Sequence, residues 1–386
     1  MKMKNKVANA PSADMEDAVS PRKEEREKKA ISIINRFLGF LMTTGILIGV
    51  AGLSLEYVLV KGPSPSLRDT FVMTMLETRR FGFIANIFLT DEEVAEIRSR
   101  NTITEEVELD TSLINIPGQN TGGEEGGEAS PAEVVDYGLV DEDGDGIIID
   151  QVVKKLCTGY MMIVQDPSRV FVGKPDSFGG SGLNVENMCK KYDAIGGING
   201  GGYFDDGGGG SGGIPTGLTV SEGVFYNENA ESGIFIGFDQ EGILHVGNMD
   251  TATAHDVGIR DGVTFSLGPI LVANGMPVDA VGITTGMNPR TAIGQRADGA
   301  VIFVCIDGRQ AGSVGGTYAD VINIMQEYGA INACNMDGGS STVMMYRDVS
   351  GIYRDPGEVY MVNSYSLLQS EPRRMPDYWL VRPAEE

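Results

Sequence analysis

Val301-Ile-Phe-Val-Cys-Ile-Asp-Gly-Arg309 and Asn332-Ala-Cys-Asn-Met-Asp-Gly-Gly-Ser-Ser-Thr342 are two apolar runs that each end in Asp-Gly, and how they relate decides the fold. The first is β-branched and aromatic, as a buried strand is; the second is a weaker strand pattern. Between them the spacing predicts a helix with both ends marked. Thr317 caps it, Asp320 stands at the third helical position beside free N–H groups, and Gly329 stops it. Val321, Ile322, Ile324, Met325 and Tyr328 form one buried face. Strand, helix and strand within about forty residues form a βαβ crossover, which carries both strand ends to the same side of a sheet. Ligands of open α/β sheets bind outside the carboxyl ends of strands, so Asp307, Arg309 and Asp337 are expected on one functional rim. A single Asp-Gly makes a tight turn and nothing more. Two of them, flanked by an arginine and a Ser-Ser-Thr run, point to chemistry.

Four motifs in order, Asn199-Gly-Gly-Gly-Tyr-Phe204, Asn288-Pro-Arg-Thr-Ala-Ile-Gly294, Asp307-Gly-Arg309 and Asp337-Gly-Gly-Ser-Ser-Thr342, resemble the phosphodiester glycosidase family over roughly residues 136 to 386. The family's last motif often has a third glycine before the serines, whereas here Ser340 follows Gly339 directly. The resemblance implies hydrolysis of the sugar C1–O bond of a glycosyl-1-phosphodiester of the α-N-acetylglucosaminyl type. It also implies a place in exopolysaccharide biosynthesis, a label often carried by bacterial members.

Composition sets limits. The chain has 386 residues and a net charge of −24, which argues against a nucleic-acid partner, since that demands a basic face. Glycine, at 53 residues, has about twice its average share. His245 and His255 are the only histidines and lie outside the four motifs, against a Ser-His-Asp triad or a multi-histidine zinc site. Cys157, Cys189, Cys305 and Cys334 show no C-x-x-C spacing and read as buried thiols, with Cys305 and Cys334 inside the two strands; one or two disulfides are the alternative in an extracellular domain.

Residues 1–36 form a polar, basic tail. Phe37 to Leu55 is a run of nineteen uncharged residues, and the apolar stretch ends near residue 60, long enough to cross a bilayer as an uncleaved anchor. Arg22, Lys23, Arg26, Lys28, Lys29 and Arg36 precede it closely and only Lys61 and Arg68 follow, so the amino terminus is expected in the cytoplasm and the remainder outside the cell. Residues 61–100, with Thr90 as a helix cap, read as a membrane-proximal helical stalk, and residues 101–135, acidic and glycine-rich, as a flexible linker. Residues 136–386 are expected to form one α+β domain, a mixed sheet backed by helices. At its start Asp141, Asp143 and Asp145 imitate a calcium loop, but Val152 replaces the bidentate Glu at the twelfth position.

Chemistry follows from the rim. Asp307 and Asp337 are the expected acid/base and nucleophile-or-stabiliser pair around an oxocarbenium-like transition state, with neither role assigned to either. Arg309 and Arg290 suit a phosphodiester's single negative charge with fork-shaped donors, and the N–H groups of Gly338, Gly339 and Ser340 suit an anion nest. Asn199, Gly200, Tyr203, Phe204, Thr291, Ser340 and Ser341 complete the expected substrate wall, Asn199 through sugar hydroxyls and Tyr203 or Phe204 through a pyranose face. No cofactor is expected. A divalent cation such as calcium gathered by Asp307, Asp337 and Asp205, with phosphodiesterase chemistry, is a rival reading, and a non-catalytic surface polysaccharide-binding protein is another.

Overall fold

The structure, a computed structural model, describes residues 21–386 apart from 79–80, 104–106, 118–136, 206–209, 231, 267, 279–284, 349–356, 365–370 and 385–386. The glycine-rich run at 122–127 and residues 207–209 of the glycine loop at 207–213 fall in the segments left out. The chain divides into two compact units, residues 1–59 and 60–386.

The first unit is built on helix α1 (Pro21–Lys61), whose residues from Lys28 to Lys61 are long and apolar enough to cross a membrane. At 1.5 Å per residue its 34 residues exceed the roughly 30 Å hydrocarbon thickness. Leucine, isoleucine and phenylalanine side chains are exposed along its length, among them Ile33, Phe40 and Leu47.

In the second unit the described residues form three antiparallel sheets, so the α+β class holds while the single mixed sheet expected from the sequence is replaced by three. The central sheet has the order β1 (Ile147–Val153), β2 (Thr158–Val164), β13 (Val301–Ile306), β12 (Arg290–Arg296), β14 (Ala330–Asn335), β10 (Ile270–Ala273) and β11 (Met276–Pro277). The second is β16 (Val359–Met361), β15 (Met344–Arg347), β4 (Gly196–Asn199), β17 (Tyr378–Val381) and β3 (Val170–Gly173). The third is β6 (Val224–Tyr226), β5 (Thr219–Ser221), β9 (Ile259–Thr264), β7 (Gly233–Asp239) and β8 (Leu244–Met249).

The crossover is present in altered form. Strands β13 and β14 run parallel to each other, but β12 lies between them and pairs antiparallel with both. Asp298-Gly299 closes a tight hairpin, with Gly299 at φ 87°, that turns the chain back from β12 so that β13 runs beside it before the crossover begins. The helix between them, Tyr318–Glu327, has Thr317 and Asp320 in a reciprocal capping box.

β13 is buried on both faces, which is why it reads as an unbroken apolar run. Phe303 and Cys305 face the core shared with the other sheets, beside Ile293, Trp379 and Tyr346. Ile302, Val304 and Ile306 face the helix through Val321, Ile324 and Met325. All four cysteines are free and buried.

The segment expected as a stalk has a small core of its own. Helix α2 (Pro65–Glu77), with Ser64 as its cap, and helix α3 (Asp91–Arg100), with a Thr90–Glu93 capping box, bury Val72, Met73, Ala85, Leu89, Val94 and Ile97 together. The described part of the expected linker is fastened down: the Asp110 N–H donates to Asn274 Oδ1 at 2.7 Å and the Asn115 N–H to the Ala297 carbonyl at 2.7 Å.

Candidate active site

Because β13 and β14 run in the same direction, Asp307-Gly-Arg309 and Asp337-Gly-Gly339 leave the central sheet from the same edge. They open on a cavity of about 750 Å³ lined by Asp307, Arg309, Asp337, Ser340, Tyr203 and Arg373, among others. That size suits a small-molecule site and exceeds one sugar-phosphate unit.

Asp307 is 4% exposed. Its Oδ1 accepts the Ser364 N–H at 2.9 Å and the Asn363 side-chain amide at 3.3 Å. Burial pushes its carboxyl up, against the downward pull of these two bonds. Asp337 is less buried and lies at the tip of the second loop. The loop is held from below: Asn199 Nδ2 donates to the Asp337 carbonyl at 2.6 Å, and Asn199 Oδ1 accepts from the Thr291 hydroxyl at 2.8 Å and the Val343 N–H at 3.2 Å. Asn199 and Thr291 are fully buried, so they support the aspartate's backbone in place of the sugar contact expected of them. The Gly339 N–H donates to the Pro289 carbonyl at 2.9 Å, which takes one expected donor out of the anion nest. A Cβ on Gly338 would stand 2.7 Å from that same carbonyl, so only glycine fits there.

The two predicted arginines have different situations. Arg309 lines the cavity and carries a left-handed backbone, φ 59°, an uncommon and costly conformation for a side-chain-bearing residue. Its NH2 donates to Asn288 Oδ1 at 2.9 Å and to the Thr78 hydroxyl at 3.0 Å. Burial lowers its pKa, and the neighbouring Arg290 adds to this. Arg290 is itself buried and bound by protein: NE donates to the Gly316 carbonyl at 3.1 Å, NH2 to the Gly286 carbonyl and to Glu77 Oε2, with Tyr318 stacked at 4.2 Å. It borders a second cavity, of about 1440 Å³, that meets the first at Arg309, Asp337 and Glu77.

Tyr203 presents its ring to the first cavity, with burial and the nearby Asp337 pushing its phenol up to about 12. Phe204 is 62% exposed and outside it. Gly200 lies beneath, against Asp377. Ser340 and Ser341 line the wall, and Ser340 Oγ accepts from Arg373 NH1 at 3.3 Å.

Sequence reasoning missed three participants. Arg373 makes a bidentate pair with Asp205 at 3.0 and 3.1 Å and sits 5.7 Å from the Tyr203 ring centroid. Its signal is weak: two arginines between prolines just before the last strand. Asp377 is wholly buried and accepts the Gly201 N–H at 2.7 Å and the Thr219 hydroxyl at 3.4 Å; burial pushes its carboxyl up to about 7. Glu77 comes from α2, far away in sequence, and nothing local marks it. Apart from this site, Asp141, Asp143 and Asp145 place carboxylate oxygens within 4.8 Å of one another, and Asp141 accepts the N–H groups of Gly144 and Gly146.

Comparison with known proteins supplies a family. Residues 192–382 match the family model described as phosphodiester glycosidase. The SPbeta prophage-derived uncharacterized protein YomE of Bacillus subtilis is 32% identical over 171 residues, 41% of this chain and 25% of that protein, so the chain spans about a quarter of its length. Among solved structures, the catalytic domain of zebrafish N-acetylglucosamine-1-phosphodiester alpha-N-acetylglucosaminidase, auto-inhibited by its pro-peptide, is similar with TM-score 0.48 and 18% identity over 62% of this chain and 82% of that one. A putative exported protein of Burkholderia pseudomallei is similar with TM-score 0.41 and 17% identity, over 59% and 74% of the two chains. Residues 192–382, which contain all four sequence motifs, thus form a domain of the phosphodiester glycosidase family.

Proposed function

We propose that this protein is a membrane-anchored extracellular hydrolase that cleaves the sugar C1–O bond of a glycosyl-1-phosphodiester, of the α-N-acetylglucosaminyl type, in surface polysaccharide metabolism. The observation that carries the reading is the meeting of Asp307, Asp337, Arg309 and Arg373 around one cavity. In a chain of net charge −24 a local pair of guanidinium groups is what an anionic phosphodiester requires. Asp307, whose burial favours the protonated form, is the acid/base, giving its proton to the leaving phosphate oxygen. Asp337 attacks or stabilises the anomeric carbon, and a water that gives its proton to Asp307 then forms the new C1–O bond, which releases free sugar and restores both carboxyl groups. Tyr203 offers its ring to the sugar face.

The reaction is proposed to need no resident cofactor. Asp205, the third carboxylate that a rim-bound cation would use, is held bidentately by Arg373. The anchor is α1, with its basic flank kept in the cytoplasm.

The test uses the full chain in detergent micelles with an α-N-acetylglucosamine 1-phosphodiester, following free sugar and sugar 1-phosphate separately, with and without a chelator. Chelator-insensitive release of free sugar is expected. Sugar 1-phosphate that disappears with chelator refutes the glycosidase in favour of metal-dependent phosphodiester cleavage, and binding without turnover makes the site a polysaccharide receptor.

A further inference from the structure

We infer that helix α2 is a working wall of the site, and that Glu77 is a positioning residue that sets both acid-bearing loops through Asn288 and Arg290. Glu77 Oε2 accepts from Arg290 NH2 at 2.7 Å and from the Asn288 side-chain amide at 2.8 Å, and Oε1 accepts the Gly286 N–H at 3.3 Å. One turn earlier, the Thr74 hydroxyl accepts the Met287 N–H at 2.9 Å. Contact is close enough that a Cβ on Gly286 would stand 2.7 Å from Thr74 Cα, so helix and strand entry meet backbone to backbone.

From there the contacts divide. Asn288 Oδ1 and the Thr78 hydroxyl, one residue beyond Glu77, together receive Arg309 NH2, which fixes the loop after Asp307. Pro289, between the two residues that Glu77 grips, receives the Gly339 N–H, which fixes the loop after Asp337. Thr74, Met75, Glu77, Thr78 and Phe81 all border the first cavity. These contacts come from a segment outside residues 192–382, so the family domain alone has one wall missing.

An alternative role for the same contact is a latch, in which Glu77 occupies an arginine meant for substrate. The geometry favours positioning. Arg290 is 5% exposed, also donates to the Gly316 and Gly286 carbonyls, and does not line the first cavity, so losing Glu77 leaves it with a buried unpaired charge in place of a freed ligand for that cavity.

The experiment compares wild-type full chain with Glu77→Ala and Glu77→Gln in micelles by kcat and KM for the phosphodiester and by backbone hydrogen exchange. Its kinetic arm rests on the proposed hydrolysis; its exchange arm does not, so an inactive wild type refutes the function and leaves the inference testable. Expected is a fall in kcat of tenfold or more for Ala and less for Gln, which keeps the acceptor oxygen, with KM moved less than threefold. Exchange is expected to quicken at Gly286, Met287, Asn288 and Arg290 and at Gly339 in both variants. Should Ala fail to fold, the Gln variant carries the same reading. An unchanged Gly339 exchange rate, or a kcat unchanged or raised, overturns the assignment, a raised kcat making α2 a latch.

Discussion

Asp377→Asn is expected to make the protein more stable at neutral and alkaline pH while leaving it unchanged at pH 3. The wild-type carboxyl is wholly buried beneath the glycine wall and titrates near 7, against 3.8 for an ordinary aspartate. A carboxyl whose folded-state pKa is raised binds its proton more tightly in the folded chain. Its stabilisation is therefore fully present below about pH 4 and is lost as pH rises through 7. The span is about three units, or about 4 kcal/mol at 1.4 kcal/mol per unit. Two of those units fall between pH 5 and pH 8, so this one group removes roughly 3 kcal/mol across that interval. Asparagine keeps an oxygen for the Gly201 N–H, and the Thr219 hydroxyl can turn to accept from its amide, so the variant folds without the titration. Urea unfolding read by tryptophan fluorescence is a direct assay, because Trp379 is the only tryptophan, is fully buried and stands two residues from Asp377. If wild type and variant keep a constant difference from pH 5 to pH 8, the buried carboxyl is not the titrating group and the reasoning fails.

Asp307→Asn should lower the turnover of the phosphodiester by at least about a hundredfold with the fold intact, the span commonly lost with a general acid, as checked by initial rates and unfolding midpoint. Arg373→Lys should raise KM roughly tenfold, because an ammonium cannot reproduce the fork held by Asp205 and pointed at the cavity, while kcat changes little. Thr317→Ala removes one half of the capping box and should cost about 1 kcal/mol in urea unfolding at every pH. A thiol reagent at pH 8 should label none of Cys157, Cys189, Cys305 and Cys334 in the folded chain and all four in urea, since they are buried and burial pushes the Cys157 thiol up to about 11.

What the sequence made legible was local. Thr317, Asp320 and Gly329 mark a helix because capping and termination are decided within four residues, and the 298–299 hairpin is visible for the same reason. The shared rim of Asp307 and Asp337 is legible because a crossover constrains direction. The insertion of β12 between the two strands is not, since a hairpin and a crossover do not together say which strand lies in the middle. Asn199 illustrates a different limit. Its motif marks the position as important, but whether an amide faces ligand or backbone depends on Thr291, Val343 and Asp337, which come from three other segments. Arg290 is in the same position: its charge is readable and its acceptors are not. Glu77 and Thr78 lie more than two hundred residues from Arg290 and Arg309, and only folding brings them together.

The three residues between α1 and α2, Gly62, Pro63 and Ser64, limit how far from the end of α1 the candidate site can lie. They reach at most about 10 Å, and the 13 residues of α2 add about 20 Å, so Glu77 lies within about 30 Å of Lys61 by chain length alone. For a chain held by α1 as proposed, the acidic linker further on adds no reach, because it follows the wall and does not precede it. Under the proposed function and anchoring, substrate comes down to the membrane face, so phosphodiester links near the lipid surface are open to cleavage and those in the outer layers of a thick envelope are not.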